Sequence, residues 1–279
     1  MKTNPIILFL RLSRPYFLVG GFIQYALGVG IARFLGYEID WSIFIVGAVW
    51  ILSAQLATHY LNEYYDAKLD TLNPGRTPFS GGSGVLGEND GQLPRNLGVL
   101  AAATMLTAMA VLTYSLIRAG RFNSATTIVA GLIFLGAIFY STPPIRLARS
   151  GYGELTTAVL LANLVPTFGF LLQTGEFHRL VALSTFPLTA LALALMISVE
   201  FPDYGADMKY GKQTLLVRIG WQAGMNFHHI FILSGFGMLA LSMLFGMPTW
   251  IALPALLPLP MGLLQIWYMN RIADGIKPN

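Results

Sequence analysis

Two short runs of this chain, Asn62-Glu63-Tyr64-Tyr65-Asp66-Ala67-Lys68-Leu69-Asp70 and Glu200-Phe201-Pro202-Asp203-Tyr204-Gly205-Ala206-Asp207, each hold an Asp-x-x-x-Asp pair. Of 13 Asp and Glu in 279 residues, seven fall in or just after these runs: Glu63, Asp66, Asp70, Glu88, Glu200, Asp203 and Asp207. Residues four apart on a helix advance about 40° round its axis, so Asn62, Asp66 and Asp70 would form one stripe roughly 12 Å long. Asp203 and Asp207 repeat the spacing. Clustered carboxylate oxygens suit Mg²⁺, a hard ion that keeps several waters and completes its shell with phosphate oxygens. Two facing carboxylate pairs repel each other unless cations lie between them, and two Mg²⁺ ions with one diphosphate would relieve that repulsion. Arg76, Arg146, Lys209 and Lys212 lie within a few residues of these runs or between them, and each is a candidate partner for phosphate oxygens. The competing reading for a single pair is a solvated helix end, and for each basic residue a headgroup-facing flank. Two pairs at corresponding places, with Asn62 in phase with the first, favour a metal and phosphate site.

The elements that must hold these residues are membrane helices. The chain is 55% hydrophobic and 11% charged, against about 25% charged in a soluble domain. Its mean hydropathy is +0.62. With no cysteine, disulfides, thiolate metal sites and redox thiols are excluded. Apolar runs predict eight spans, near 15–34, 41–61, 96–117, 123–140, 152–173, 180–199, 221–245 and 249–269. The apolar run Ile6–Leu10 is short, is followed by Arg11 and Arg14, and leads to no cleavage site, so the first span reads as a retained anchor. Thirteen of the 17 Lys and Arg fall on one side of this topology. That bias predicts both termini and both acidic runs on the cytoplasmic side of a cell (inner) membrane. The net charge of +4 flanks the spans and forms no patch, so no nucleic-acid partner is expected.

The two long loops, 62–95 and 200–220, both open on an acidic run and follow spans two and six. The layout predicts an all-α polytopic bundle of about eight spans, built as two pseudo-repeated four-helix halves. Residues 1–279 are expected to be a single domain. The glycine-rich Ser80–Gly84 stretch lacks the Lys-Ser/Thr ending of a P-loop and reads as a flexible gating loop. His59 is expected to pack between helices, and one of His228 and His229 to bond a backbone carbonyl or neighbouring helix; no spacing supports zinc.

These residues resemble the UbiA-type intramembrane prenyltransferase family. The resemblance rests on Asn62-x-x-x-Asp66-x-x-x-Asp70, on Asp203-x-x-x-Asp207 followed by Gly211-Lys212-x-Thr214-Leu215, and on Tyr140-Ser-Thr-Pro-Pro between them. It covers nearly the whole chain and implies that the helical bundle surrounds a central cavity. The Tyr-Tyr-Asp of the first run and Thr77-Pro78-Phe79-Ser80-Gly81-Gly82-Ser83 resemble the menaquinone-pathway branch, which prenylates 1,4-dihydroxy-2-naphthoate. The resemblance implies Mg²⁺-dependent transfer of a polyprenyl group from a polyprenyl diphosphate to an aromatic acceptor, with the isoprenoid tail lying toward membrane lipid. Asp66, Asp70, Asp203 and Asp207 would hold the metal and act in catalysis. Asn62, Arg76, Tyr140, Arg146, Lys209 and Lys212 would bind substrate, and Tyr64, Tyr65 and Tyr140 are candidates to shelter an allylic cation.

The chain departs from the family at Val199, where an Asn is usual, and at Pro202, which would interrupt a helix just before Asp203. The family usually has nine spans. Here the chain ends soon after the eighth, so the ninth is absent or the sequence is a C-terminal truncation. Other acceptors of the wider family (quinone, chlorin or lipid), a membrane transporter and a non-catalytic lipid-binding scaffold are the alternative functions.

Overall fold

A computed structural model describes residues 4–70, 82–87 and 92–275, apart from the side chains of 68–70. Its α-helices in chain order are α1 (Pro5–Ser13), α2 (Pro15–Phe34), α3 (Trp41–Asp70), α4 (Asn96–Arg118), α5 (Ser124–Phe139), α6 (Gly153–Val159), α7 (Val165–Thr174), α8 (Arg179–Glu200), α9 (Tyr204–Tyr210), α10 (Leu215–Ile219), α11 (Trp221–Ser242), α12 (Thr249–Ala255) and α13 (Leu259–Ala273). Seven helical stretches among the described residues are long and apolar enough to cross a membrane, and α5 is an eighth, shorter one of 16 residues. At 1.5 Å per residue α5 spans roughly 24 Å, less than a bilayer's hydrocarbon core of about 30 Å. The protein is thus an integral membrane, all-helical bundle, as its composition predicts.

Prolines set the breaks. Pro166 has no N–H to donate, and the turn before it, Leu160–Leu164, widens to a π-helix that joins α6 to α7. Pro202 acts in the same way. α8 stops at Glu200, Phe201–Asp203 form one 3₁₀ turn, and α9 resumes at Tyr204. The expected interruption before Asp203 is therefore a tightened turn.

The halves correspond in their packing. The second span of each lies against the third, α3 on α4 and α8 on α11, while α2 and α7, from the first span of each half, pack on one another. That last seam is closed to backbone contact. A Cβ on Gly28 would overlap the carbonyl oxygen of Pro166, and one on Gly169 would lie 2.6 Å from the carbonyl oxygen of Tyr25. Tyr25, Trp50 and Phe168 are buried beside it, with the Trp50 and Phe168 rings 4.8 Å apart. Gly28→Leu is expected to cost about 2–3 kcal/mol, or roughly 5–10 °C in Tm. Gly20→Leu, on the same helix with open space around it, should leave Tm unchanged. Thermal unfolding of the two variants in detergent checks this.

α13 is held more loosely. Most of its surface is exposed, and the Gln265 amide meets the buried His228 ring at 3.1 Å. This is the expected bond from one of the paired histidines to a neighbouring helix.

Candidate active site

α3 runs unbroken from Trp41 to Asp70, which is the condition for a stripe starting at Asn62. Asn62 and Asp66 both line a cavity of about 230 Å³ enclosed by α2, α3, α5, α6, α8 and the loops at their ends. The Asn62 amide donates to Asp66 Oδ2 at 3.1 Å and to Ser141 Oγ at 3.2 Å, tying the stripe to the segment after α5. Asp66 is 3% exposed. Its other oxygen, Oδ1, accepts from Arg149 Nε at 2.9 Å and Nη2 at 2.6 Å.

The second half supplies the opposite wall. Val199, Glu200, Asp203 and Lys212 all line the cavity, with Asp203 buried. Gly211 closes α9 in the left-handed conformation at φ 74°, with the Lys212 N–H donating to the Asp207 carbonyl. The chain thereby reverses and returns Lys212 into the cavity, 4.0 Å from Asp207 Oδ2. Thr214 then caps α10 through the Val217 N–H, and the buried Glu154 accepts the Leu215 N–H at 2.6 Å. Each residue of Gly211-Lys212-x-Thr214-Leu215 has a physical task in turning the loop back.

The electrostatics follow from burial. Asp66, Glu154, Glu200 and Asp203 face the cavity, against Arg14 and Lys212 as cations in its wall. Glu200 Oε2 is buried with no hydrogen-bond partner. Burial alone would lower the Lys212 pKa, but Asp207, Asp66 and Glu200 outweigh it and hold the ammonium well above its ordinary value. Burial pushes the Tyr140 phenol up as well, with Thr157 and Lys212 opposing and Glu200 and Glu154 adding to the rise.

A cavity walled by more carboxylates than cations, with a buried carboxylate oxygen left over, is suited to a hard divalent ion. Among the described residues no three acidic or imidazole groups are gathered around one point. The aspartates instead approach from two sides. Mg²⁺ needs only one or two carboxylates when water and substrate phosphate complete its shell, so the donor chemistry fits.

Of the residues singled out by sequence, Asn62, Asp66, Tyr140, Asp203 and Lys212 meet in the cavity wall. Asp207 stands behind Lys212. Lys209 is exposed, 5.4 Å from the Tyr210 ring, and Arg146 lies 5.9 Å from the Tyr65 ring; neither lines the cavity. Tyr64 and Tyr65 also fall outside it: Arg95 covers the Tyr64 ring at 4.4 Å, and the two rings meet edge to face. The aromatic rings in the wall are Phe17, His59 and Tyr140. His59 packs edge-on to Phe17, and its Nδ1 sits 3.3 Å from the Ser13 carbonyl oxygen. The Asp70 side chain and Arg76 lie outside the described residues.

Sequence reading gave four groups no role in the site, two of which, Glu63 and Glu200, it had counted only as members of the acidic runs. Arg149 binds Asp66, and Glu154 and Glu200 line the wall. Glu63, 1% exposed, pairs with Arg14 and accepts the Ser83 N–H at 2.6 Å and the Ser83 hydroxyl at 2.7 Å. Residues 82–87, the described continuation of the glycine-rich loop, are thereby pinned with Gly82 against the cavity. The stretch expected to gate is anchored at this end; Ser80 and Gly81 lie outside the described residues. Glu154 left a usable signal, being the lone acid between Asp90 and Glu176, at the start of an apolar helix.

Comparison with known proteins places the chain in a family and a fold. Residues 25–279 match the UbiA prenyltransferase family. The chain is 27% identical over 218 residues to the 1,4-dihydroxy-2-naphthoate octaprenyltransferase of Bacillus subtilis (strain 168), covering 77% of this chain and 67% of that one. It is 25% identical over 272 residues to the 1,4-dihydroxy-2-naphthoate octaprenyltransferase of Escherichia coli (strain K12), covering 94% and 85%. Its fold resembles a solved UbiA homolog from Archaeoglobus fulgidus bound to GPP and Mg²⁺, with a TM-score of 0.74 and 18% identity over 98% of this chain and 90% of that one.

Proposed function

Since the chain belongs to the UbiA prenyltransferase family and is an enzyme of prenyl transfer, we propose that it moves a polyprenyl group from an allylic polyprenyl diphosphate to 1,4-dihydroxy-2-naphthoate, with Mg²⁺ as cofactor. The observation that carries this reading is the convergence of the Asn62–Asp66 stripe from one half and Asp203 with Lys212 from the other on a single cavity. The names of the Bacillus and Escherichia relatives support the acceptor, and the GPP and Mg²⁺ bound to the Archaeoglobus homolog support the donor and the metal.

Asp66 and Asp203 would hold Mg²⁺, with Asp70 and Asp207 extending the set from their neighbouring turns. Bound there, the ion supplies Lewis-acid neutralisation of the charge that builds on the leaving diphosphate. Asn62, fixed by Ser141, keeps the Asp66 carboxylate aimed into the cavity. Lys212 places a fixed positive charge where the departing oxygens gather, strengthening as the C–O bond breaks. The Tyr140 ring borders the space in which the allylic cation would form. An electron-rich acceptor carbon then closes the C–C bond as the diphosphate departs, and the ring regains its aromaticity by losing the group that carbon carried, a proton or the carboxylate as CO₂; no enzyme nucleophile takes part. The isoprenoid tail would run out toward lipid among apolar side chains. Because both halves build one cavity, we treat 1–279 as one domain, seated in the cell membrane with the site and both termini on the cytoplasmic side.

Membranes carrying the protein, given Mg²⁺, a labelled polyprenyl diphosphate and a panel of aromatic acceptors, are expected to yield prenylated naphthoquinol by mass spectrometry. EDTA should abolish the product and added Mg²⁺ restore it. Product from 4-hydroxybenzoate or homogentisate alone would reassign the acceptor, and no product with any acceptor would overturn prenyl transfer by this site.

A further inference from the structure

The pairing of Arg149 with Asp66 has no place in the reaction as described. Arg149 ends the 3₁₀ turn Leu147–Arg149, between Tyr140 and Gly153, which both line the cavity. Two of its N–H groups converge on the same carboxylate oxygen, Asp66 Oδ1, and Nη2 also donates to the Tyr65 carbonyl at 3.1 Å. The fork therefore covers the oxygen that Asn62 leaves open. A carboxylate as buried as Asp66 needs a counter-cation whenever it is ionised. Arg149 meets that need in the structure, and its own side chain is 27% exposed, so it has room to leave.

We propose that Arg149 is the resident counter-cation of Asp66, that a divalent metal displaces it, and that the released guanidinium then takes an oxygen of the diphosphate. This rests on the reading of the site as one for metal and diphosphate. A metal ion at Oδ1 competes with the fork for the same lone pairs and repels the guanidinium by like charge. A diphosphate offers the displaced fork the planar, bidentate acceptor that it fits. The exchange keeps Asp66 neutralised at every stage and makes metal binding and diphosphate binding cooperate.

Mn²⁺ and inorganic pyrophosphate, with the detergent-purified protein, test the exchange. Mn²⁺ binding is read from the free-ion signal in electron paramagnetic resonance, and pyrophosphate binding by calorimetry at saturating Mn²⁺. Arg149→Gln is expected to bind Mn²⁺ alone about tenfold more tightly than the parent chain, and pyrophosphate about tenfold more weakly. Simple structural damage would weaken both. Mn²⁺ affinity unchanged or lowered in Arg149→Gln overturns the exchange and leaves Arg149 a permanent strut. Should Arg149→Gln fail to fold, Arg149→Lys, which keeps the charge and loses the fork, decides by shifts of the same signs. If the parent chain binds no Mn²⁺ with or without pyrophosphate, the metal–diphosphate reading itself falls and the exchange with it.

Discussion

Asp66→Asn is expected to lower the rate of prenyl transfer about a thousandfold or more, with the acceptor and donor saturating. The carboxylate is 3% exposed and is held in place from two directions, by Asn62 and by Arg149. Asparagine preserves the shape and removes the charge that a metal would use. It also strips Arg149 of its counter-ion, a change whose cost falls on stability and is limited because the guanidinium is 27% exposed. The two effects separate in experiment. Initial rates with labelled polyprenyl diphosphate should collapse, while thermal unfolding in detergent shifts by only a few degrees. A variant with near-parental rate would remove Asp66 from the site. Ser141→Ala, which loosens only the Asn62 tether, should fall between the two.

Lys212→Met should cost about a hundredfold in rate, the scale set by loss of a single group that stabilises departing charge. Its position depends on Gly211 and on the carboxylates around it, since Asp207, Asp66 and Glu200 together keep it protonated despite burial. The sign of the pH effect follows. A lysine whose pKa rises on folding contributes stability that is fully present below its unfolded value near 10.4 and is lost only as pH climbs through the higher folded value. Lys212 should therefore impose no limb on the rate profile between about pH 6 and 10. Lys212→Arg keeps the charge and should retain more activity than Met. Equal losses in both variants would mean that length and packing at this position matter, and charge does not.

These two residues were legible in the sequence for different reasons. Asp66 declared itself by the period of a helix, because Asn62 and Asp66 lie one turn apart on α3 and local geometry alone fixes their common face. Lys212 was marked by its place close after Asp207 and by the motif Gly211-Lys212-x-Thr214-Leu215, and the structure adds that Gly211 turns the chain through its left-handed φ. Arg149 was not legible. It reaches Asp66 across 83 residues through a turn whose course depends on Arg146 in a left-handed conformation, and nothing in its neighbours announces that. Glu63 sits within the first run and looked like part of its acid cluster, yet it faces Arg14 and Ser83. One residue of offset on a helix rotates a side chain by about 100°, so acids in the same run belong to different surfaces. Tyr64 and Tyr65 fail for the same reason. The spans were the easiest part, since the run of apolar residues needed to cross a bilayer is long enough to override local ambiguity.

The glycine seam between α2 and α7 bears on how ligands come and go. A carrier that exposes its site alternately to two compartments must let its halves hinge about that site. Here the first helices of the two halves meet backbone to backbone at Gly28 and Gly169, so opening between them would have to prise apart a closely packed joint. Such a joint makes the scaffold a fixed vice. Chemistry inside one chamber walled by both halves is what that arrangement permits.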